Sequence, residues 1–534
     1  MEFVRLRRFH RFLPGMSERP DRCWRWGLCL FSLGACVLLL PAAGRAAHHR
    51  SLASQIDAIL RTNPARRGFW GIEVVQLSDG KVLYARNADH LFQPASTMKL
   101  FTTAAALTKL GPDFIFRTTV ESSAPPNAEG RVPNLILVGR GDPNLGSRVL
   151  PYHLKTEVRS PADLDFEKLA EQVVAKGVRE VTGNIIADDG YYVYQPYGPD
   201  WAIDDMVWSY GAPITALAFN DNSLTLRVQP GSAEGSPAGI TLGPASDYYR
   251  IKDEVKTTSA DTPAKVLVDR APGSMELEVW GHVPVGSDGI KEEVAIQNPP
   301  LLIGEMFRRL LDQRGVKVDG QVVVRERSPS AMAAADGAST KPEERNILAE
   351  HDSLPLSEDI RVTLKVSQNL HAEMLLRTMA REVSGEGSLK AGTEILDDFA
   401  REINIPPDEV HFAGGSGLSR DTLVSPVALI ALLEFMAHSE DYKDFFGALP
   451  VAGVDGTLAD RFERTTAKGC IHAKTGSMEH VNSLAGYMDL PGGRRLAFVI
   501  VGNNHPLHSA AAIGVIDRMA LAIYRQFAEA RKVR

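Results

Sequence analysis

The chain has 534 residues, of which 44% are hydrophobic and 23% are charged, and its formal net charge is −7 at pH 7. This composition is typical of a globular protein that is long enough for two or three hydrophobic cores. Because there is no basic excess, the charge gives no indication of nucleic-acid binding, and none is expected.

The first 46 residues have the pattern of a signal peptide. Seven arginines within residues 1–25 precede an apolar run at 26–40, and a proline and small residues follow. We expect cleavage near Ala46, export to the periplasm and no stable membrane anchor afterwards. The apolar run is short for a spanning helix, although an uncleaved signal anchor stays open as an alternative. Three of the four cysteines lie in this leader, so only Cys470 would remain and no internal disulfide is expected.

A serine and a lysine stand three residues apart at the start of a predicted helix. The helix is predicted over 94–107, because a proline is tolerated in a first turn and the following residues are nearly all apolar. Residues three apart are neighbours on a helix, so Lys99 can reach the hydroxyl of Ser96. Burial would lower the pKa of Lys99 and let it act as a base, and the helix start would stabilise negative charge near Ser96. The pair is a candidate activated nucleophile.

The same spacing occurs once more, where it indicates no site. Ser78 and Lys81 flank an Asp-Gly pair between two strand-like runs, at 71–75 and 82–84. That arrangement is typical of a hairpin turn, so Lys81 is expected to be exposed. Ser-x-x-Lys alone is therefore a weak pattern.

Two further motifs follow in chain order. Residues 367–369 (Ser-Gln-Asn) lie inside 361–379, whose apolar spacing predicts a helical segment. Residues 474–477 (Lys-Thr-Gly-Ser) lie among runs that predict adjacent strands. Each motif is common alone. In this order, with the first on a helix, the second on a loop and helix and the third on a strand, they form the three-part active-site signature of the serine penicillin-recognising enzymes.

With these motifs the chain resembles the D-alanyl-D-alanine carboxypeptidase/endopeptidases of the penicillin-binding-protein-4 type, the low-molecular-mass class C penicillin-binding proteins. The similarity takes in further stretches at 139–145, 210–217, 415–420 and 481–487 and covers most of the chain from about residue 52 to 525. The family usually has Asp-Gly-Ser-Gly-Leu-Ser-Arg at the third stretch, and we take Gly415 to stand in the place of the aspartate.

The resemblance implies an α/β (α+β) fold with a serine β-lactamase/transpeptidase-like catalytic domain, an antiparallel sheet with helices on both sides. Because Ser96 and Ser367 are 271 residues apart, a folded insert must lie between them. We predict catalytic segments at 47–114 and 326–534, an inserted α/β domain or pair of domains at 115–325, and a flexible linker at 328–344.

Two stretches of the predicted insert share one pattern, and a last helix is predicted near the end of the chain. Residues 166–186 and 301–324 both read as helix, turn and strand. Two copies are too few for a solenoid, so we interpret them as packing units. The last helix, at 510–530, would by resemblance pack on the catalytic sheet.

The resemblance implies a serine-type D-Ala-D-Ala carboxypeptidase, a hydrolase that acts on peptidoglycan stem peptides through an acyl-enzyme on Ser96. DD-endopeptidase activity is open as an addition, and β-lactam antibiotics would be covalent inhibitors. No cofactor is expected, and no HExxH or paired-cysteine spacing indicates a metal. The oligomeric state stays open.

Roles can be assigned within the first two motifs. Lys99 would accept the proton of Ser96 as the serine attacks the carbonyl of the D-Ala-D-Ala bond. Ser367 would relay a proton to the leaving amine, and Asn369 would orient Lys99 and the substrate amide.

The third motif and one arginine would bind the substrate. Lys474 would keep a positive charge in the site and, with Thr475, meet the terminal carboxylate of the peptide. Gly476 would let the substrate lie against the strand edge, and Ser477 would by resemblance complete an oxyanion site through its backbone N–H. By resemblance Arg420 would bind a side-chain carboxylate of the third peptide residue, with a structural arginine as the alternative.

Two other functions stay open on the same sequence. One is a β-lactamase or esterase on the same fold, and the other is a catalytically silent peptidoglycan-binding module. Aromatic residues within 201–210 are candidates for a wall of the substrate site. His371, His472 and His480 are interpreted as packing or solvent residues.

Overall fold

The structure is a computed structural model that describes residues 51–153, 161–245, 247–330 and 345–529. The predicted signal peptide at 1–46 and most of the predicted linker, residues 331–344, lie outside the described residues. In the described part of the chain, no helix is both long and apolar enough to cross a membrane.

The bounds of the regular elements, in chain order, are as follows. The α-helices are α1 (Leu52–Leu60), α2 (Lys99–Leu110), α3 (Leu164–Ala175), α4 (Pro299–Gln313), α5 (Leu356–Lys365), α6 (Asn369–Ser384), α7 (Leu389–Glu402), α8 (Pro426–His438), α9 (Tyr442–Ala448) and α10 (Ser509–Glu529). The strands are β1 (Phe69–Gln76), β2 (Lys81–Arg86), β3 (Arg117–Ser122), β4 (Arg131–Val132), β5 (Leu135–Val138), β6 (Glu180–Val181), β7 (Ile185–Val193), β8 (Ser223–Gln229), β9 (Gly239–Gly243), β10 (Arg250–Thr258), β11 (Lys265–Asp269), β12 (Glu276–Pro284), β13 (Ile290–Ala295), β14 (Lys317–Val318), β15 (Val322–Arg327), β16 (Asn346–Asp352), β17 (Val410–His411), β18 (Leu423–Val424), β19 (Ile471–Met478), β20 (Val481–Leu490) and β21 (Arg494–Asn503).

The catalytic sheet has the order β19-β20-β21-β1-β2, and every neighbouring pair is antiparallel. Side chains alternate along a strand, so Val74 faces one core and Val75 faces the other. α1 and α10 cover the first face, and α2 and α8 cover the second. The predicted antiparallel sheet with helices on both sides is confirmed, as are the hairpin turn between β1 and β2 and the helix at the end of the chain.

A second sheet of the order β15-β7-β5-β3-β16 belongs to the insert. The repeated pattern forms two matching units, α3 with β6 and β7, and α4 with β14 and β15. The second unit pairs in parallel with the first, β14 on β6 and β15 on β7. The bounds 115–325 of the insert stay a prediction. The sheet also includes β16, which follows these bounds in the chain and pairs with β3.

The helical segment predicted over 361–379 is interrupted in the structure. α5 ends at Lys365 and α6 begins at Asn369, and between them Ser367 has a φ of 70°. A left-handed residue cannot continue a right-handed helix, so the chain turns sharply here. The apolar spacing runs on through the break and so indicated one helical segment, whereas the motif itself was expected on a loop and a following helix, as the structure has it. The break places Ser367 and Asn369 at the end of a helix, where both can face α2 and β19.

Candidate active site

Ser96 lies in a tight turn at the start of α2. The turn Ala95–Met98 is a 3₁₀ helix that leads directly into α2. Its position is fixed by the carbonyl of Pro94, which accepts hydrogen bonds from Thr97 Oγ1 (2.7 Å) and Ser483 Oγ (2.7 Å). Ser483 is on β20, so the turn is tied to the catalytic sheet. The half-buried hydroxyl of Ser96 is thereby held at the edge of a cavity.

The amine of Lys99 contacts three oxygen atoms. Its Nζ lies 2.8 Å from Ser96 Oγ, 2.6 Å from Asn369 Oδ1 and 2.8 Å from the carbonyl oxygen of Ser416. A neutral amine has two N–H donors and one lone pair. When Asn369 and Ser416 accept the two hydrogens, the lone pair faces the hydroxyl of Ser96. The geometry suits removal of the serine proton.

The protonation of Lys99 is set by its surroundings. The side chain is fully buried, and burial lowers its pKa from 10.5 to about 7, against the opposing effect of the negative charge of Glu373. A base with this pKa is about half neutral at neutral pH. The helix predicted on sequence grounds is therefore buried as expected, and its lysine is poised to act as a base.

The second motif meets the third through one hydrogen bond. Lys474 Nζ donates to Ser367 Oγ (2.7 Å) and to the carbonyl of Thr475 (2.8 Å). The amide of Asn369 bridges two groups: its Oδ1 accepts from Lys99, and its Nδ2 donates to the carbonyl of Tyr210 in the insert (2.8 Å). The residues of all three motifs are thus brought together around Ser96.

Lys474 is fully buried, like Lys99. Burial, and then the nearby charge of Lys99, lower the pKa of Lys474 well below its usual value. A positive charge on Lys474 during binding, as predicted, would therefore need an anion beside it, such as a substrate carboxylate. That role stays a prediction.

The remaining residues of the third motif differ in their surroundings. Ser477 lines the cavity, and its hydroxyl accepts a hydrogen bond from Asn482 Nδ2 (2.8 Å). Thr475 Oγ1 donates to Thr457 Oγ1 (2.8 Å). A Cβ at Gly476 would lie 2.8 Å from the carbonyl oxygen of Pro94, inside the contact between β19 and the serine turn. The glycine therefore serves this close approach.

A cavity of about 460 Å³ opens in front of Ser96. Its lining side chains come from the motifs, from the insert and from the loops before β18 and after β19: Ser96, Asp204, Asp205, Tyr210, Ser367, Asn369, Leu418, Arg420, Ser477, Met478 and Glu479. Arg420 is exposed at this cavity, together with the carboxylates of Asp204 and Glu479, and Asp205 lines it as well. Burial raises the pKa of the half-buried Asp205. The cavity can therefore offer both a cation and anions to a substrate.

The prediction about the aromatic residues of 201–210 has a mixed outcome. Tyr210 lines the cavity. Trp201 is buried instead, in a small cluster with Tyr192 and Met374. Sequence reasoning missed Asp204 and Asp205, since two acids in a short 3₁₀ turn have no distinguishing pattern.

Sequence reasoning also missed Glu373, a buried carboxylate behind the site. Its Oε1 accepts hydrogen bonds from the backbone N–H of Gly415 (3.0 Å), the N–H of Ser416 (2.9 Å) and the hydroxyl of Ser416 (2.7 Å), and Oε2 pairs with Arg377 (3.1 Å). Because the carbonyl of Ser416 accepts from Lys99, Glu373 holds the segment that orients the base. The only sequence signal for Glu373 was an acidic residue at a helix position that the apolar spacing predicts to be buried.

The place of the family aspartate needs a correction. Counting back from Arg420 along Asp-Gly-Ser-Gly-Leu-Ser-Arg puts that aspartate at Gly414, so its assignment to Gly415 was wrong by one residue. A Cβ at Gly414 would lie 3.0 Å from Oε1 of Glu373. In this chain the carboxylate beside the loop comes from Glu373 on α6.

The three histidines are placed as follows. His371 is fully buried, with Nδ1 2.6 Å from Asp359 Oδ1 and Nε2 3.0 Å from Asp221 Oδ1. His472 stacks on a phenylalanine ring, and the Nδ1 of His480 contacts a backbone carbonyl. None of them lines the cavity in front of Ser96. Among the described residues, no group of His, Cys, Asp or Glu side chains could hold a metal ion.

A match to a family model shows the protein family of this chain. The model of the D-Ala-D-Ala carboxypeptidase 3 (S13) family matches residues 52–524. The chain belongs to this family. The predicted family, and with it the predicted activity as a serine-type D-Ala-D-Ala carboxypeptidase, is confirmed.

Individual relatives agree with the family match. A D-alanyl-D-alanine carboxypeptidase of Actinomadura sp. (strain R39) is 33% identical over 502 residues, which cover 92% of this chain and 87% of the relative. The crystal structure of penicillin binding protein 4 (dacB) from Haemophilus influenzae has a TM-score of 0.74 at 23% identity and covers 89% of this chain and 99% of its own. The same protein complexed with a β-lactam has a TM-score of 0.70, also at 23% identity, over 88% of this chain and 98% of its own. The predicted fold class is confirmed.

Proposed function

We propose that this S13 carboxypeptidase releases D-alanine from peptidoglycan stem peptides through an acyl-enzyme on Ser96. The observation that supports it best is the 2.8 Å contact between Lys99 Nζ and Ser96 Oγ, made by a buried lysine whose pKa is lowered to about 7. Ser96 attacks the carbonyl of the D-Ala-D-Ala bond while Lys99 takes its proton. The C–N bond breaks, D-alanine leaves with a proton, and water then releases the acyl group.

The second motif serves the leaving group. Ser367 Oγ lies between Lys474 and the cavity, so it can pass a proton to the departing amine. Asn369 fixes one hydrogen of Lys99 and keeps the lone pair directed at Ser96. The backbone N–H groups of Ser96 and Ser477 hold the oxyanion that forms during attack.

The third motif and Arg420 bind the two ends of the substrate. Lys474 and Thr475 meet the terminal carboxylate, and its arrival raises the pKa of Lys474 again. Arg420 takes a side-chain carboxylate on the third peptide residue. The nearby Asp204 and Asp205 line the same cavity and would suit an ammonium group on that residue.

The enzyme works outside the cytoplasm in this proposal. Residues 1–46 act as a signal peptide, the mature chain is periplasmic, and β-lactams acylate Ser96 as covalent inhibitors. DD-endopeptidase activity on cross-linked peptides would use the same acyl-enzyme. The support for export is the arginine-rich leader with its short apolar run.

Penicillin labelling tests the assignment of the nucleophile. Residues 47–534 are treated with a fluorescent penicillin, and the labelled peptide is identified by mass spectrometry. Ser96→Ala should abolish the adduct, and the matched control Ser78→Ala, which removes the serine of the second Ser-x-x-Lys, should leave it intact. A stable adduct elsewhere, or labelling of Ser96→Ala, would contradict the proposal. Rapid turnover of the β-lactam would favour a lactamase, and no adduct would favour a silent binding module.

A further inference from the structure

Two more cavities continue from the active-site cavity along the insert. The first, of about 500 Å³, shares Tyr210 with the active-site cavity. The second, of about 250 Å³, shares Ser209, Lys291 and Glu293 with the first. We call these two cavities together the insert groove. Because neighbouring cavities share lining residues, the groove adjoins the active-site cavity at Tyr210.

The charges that line the insert groove are largely paired with each other. Lys291 lies 2.8 Å from Glu293, which also accepts hydrogen bonds from Thr225 Oγ1 at 3.0 and 3.1 Å. Arg148 forms an ion pair with Asp221. Glu292 also lines the larger cavity, and apart from it the lining charges named here are paired, so the groove suits a ligand that is polar and uncharged.

Arg148 is a buried side chain of the groove with two donor atoms that are unpartnered in the described part of the chain. Its side chain is 8% exposed and lines the smaller cavity of the groove. Within the described residues, its Nε and Nη1 atoms have no hydrogen-bond partner. Buried polar donors in native proteins are normally satisfied, by protein, water or ligand. Both atoms are themselves buried beneath the cavity surface, so a hydroxyl or amide oxygen in the groove would satisfy them only after a shift of the Arg148 side chain.

Aromatic rings flank the same groove near its junction with the active site. Trp208 and Tyr210 line the larger cavity, and Tyr210 is 44% exposed. Flat rings beside hydroxyl and amide side chains suit a sugar ring, which has apolar C–H faces and polar edges. Ser209 lines both cavities, and its hydroxyl can pair with hydroxyl or acetamido groups. The amide of Asn220 in the smaller cavity is already bonded to Ser147 and Ser223 and shapes the cavity wall.

We propose that the insert groove binds the glycan part of peptidoglycan, an N-acetylated polysaccharide, while the stem peptide attached to it reaches Ser96. This inference rests on the proposed function. It assigns the insert a task, because the substrate peptide is joined to the glycan at the end opposite to the D-alanines. The part of the substrate that leaves the active-site cavity past Tyr210 then enters the groove.

Two substrates with the same peptide test the proposal. One is a free pentapeptide that ends in D-Ala-D-Ala, and the other carries the same peptide on its N-acetylated disaccharide. The native enzyme should have a kcat/KM about tenfold higher for the disaccharide form, mainly through KM, which corresponds to about 1.4 kcal/mol. Equal kcat/KM values for the two substrates would overturn the proposal.

Groove variants must act only on the glycan-bearing substrate. Lys291→Ala combined with Glu293→Gln should lower its kcat/KM at least about fivefold and leave the free peptide and penicillin acylation unchanged. The matched control is Lys317→Ala with Asp319→Asn, an exposed ion pair of the insert that lines none of the three cavities. Equal losses on both substrates, or the same loss in the control, would refute a glycan site.

A binding measurement keeps the two proposals distinguishable. Ser96→Ala is titrated with an N-acetylglucosamine hexamer, and the tryptophan fluorescence is followed with Trp208→Phe to assign the signal. Saturable binding that the groove variants weaken supports the groove even if penicillin fails to label Ser96. Absence of saturable binding overturns the groove, whereas penicillin labelling of the native chain would still support the proposed function.

Discussion

The acylation rate of Ser96 should follow the protonation of Lys99. If Lys99 is the base, only its neutral form can take the proton of the serine. Burial lowers the pKa of Lys99 to about 7, so the neutral form appears as the pH rises through that value. The perturbation is therefore a change of pH from 5 to 9 with a penicillin as substrate.

The size of the effect follows from the lowered pKa. With a pKa of about 7, the neutral fraction of Lys99 is about 1% at pH 5, about half at pH 7 and about 99% at pH 9. The acylation rate should thus rise about a hundredfold over this range and level off above about pH 8. With the ordinary value of 10.5 the rate would instead keep rising tenfold per pH unit up to about pH 10.

Stopped-flow fluorescence measures this rate directly. The second-order rate constant of acylation by a fluorescent penicillin is recorded at each pH, and the reaction of Ser96→Ala is subtracted to remove hydrolysis by hydroxide. Circular dichroism at each pH confirms that the fold persists. A rate that is flat between pH 5 and 9, or that shows no plateau by pH 9, would refute Lys99 as a base with a lowered pKa.

Three further outcomes are expected. Glu373→Gln removes the negative charge that raises the pKa of Lys99, so the midpoint of the acylation profile should move to lower pH by about half a unit or more. Glu382 is an exposed acid of the same helix, and Glu382→Gln should leave the midpoint in place. Burial lowers the pKa of His371, but the carboxylates that contact it outweigh burial and raise the pKa to about 9. The charged ring therefore stabilises the fold in full below about pH 6.5, and this stabilisation is lost as the pH rises through about 9. In denaturant unfolding, the free energies of unfolding of the native protein and His371→Gln should differ by about 3 kcal/mol more at pH 6 than at pH 10. A constant difference would contradict that charge. Gly476→Ala would place a Cβ 2.8 Å from a backbone oxygen before the serine turn, and should lower Tm and slow acylation at least about tenfold; an unchanged rate would contradict the close contact.

Local patterns carried most of what could be predicted. The Ser96 and Lys99 contact follows from helical spacing alone, and the apolar residues after it correctly indicated burial. The runs at 470–473 and 482–488 predicted the adjacent strands that place Lys474 in the site. The order of the motifs, read as a family resemblance, predicted the fold class and the activity.

Contacts between distant segments could not be read from such patterns. The left-handed Ser367 has no marker in the sequence, so the spacing of apolar residues predicted a helix across it. Glu373 lies 43 residues from Ser416 in the chain, and only the folded structure shows that it holds the carbonyl facing Lys99. The expectation for Gly476 concerned substrate and stays a prediction, whereas the close contacts that the structure shows for it are with Ser483 and Pro94.

The insert contributes to the chemistry through its contacts with α6. Tyr210 accepts the amide hydrogen of Asn369 through its carbonyl (2.8 Å), and Asp221 faces the buried ring of His371 (3.0 Å). Both contacts are made within the first turn of α6, which carries the second motif. A chain in which a short loop replaced the insert would leave His371 buried with one carboxylate in place of two, and Asn369 without the partner that fixes its amide. The oxygen of Asn369 would then no longer be fixed on Lys99, so the base would lose its orientation even if the turn around Ser96 survived.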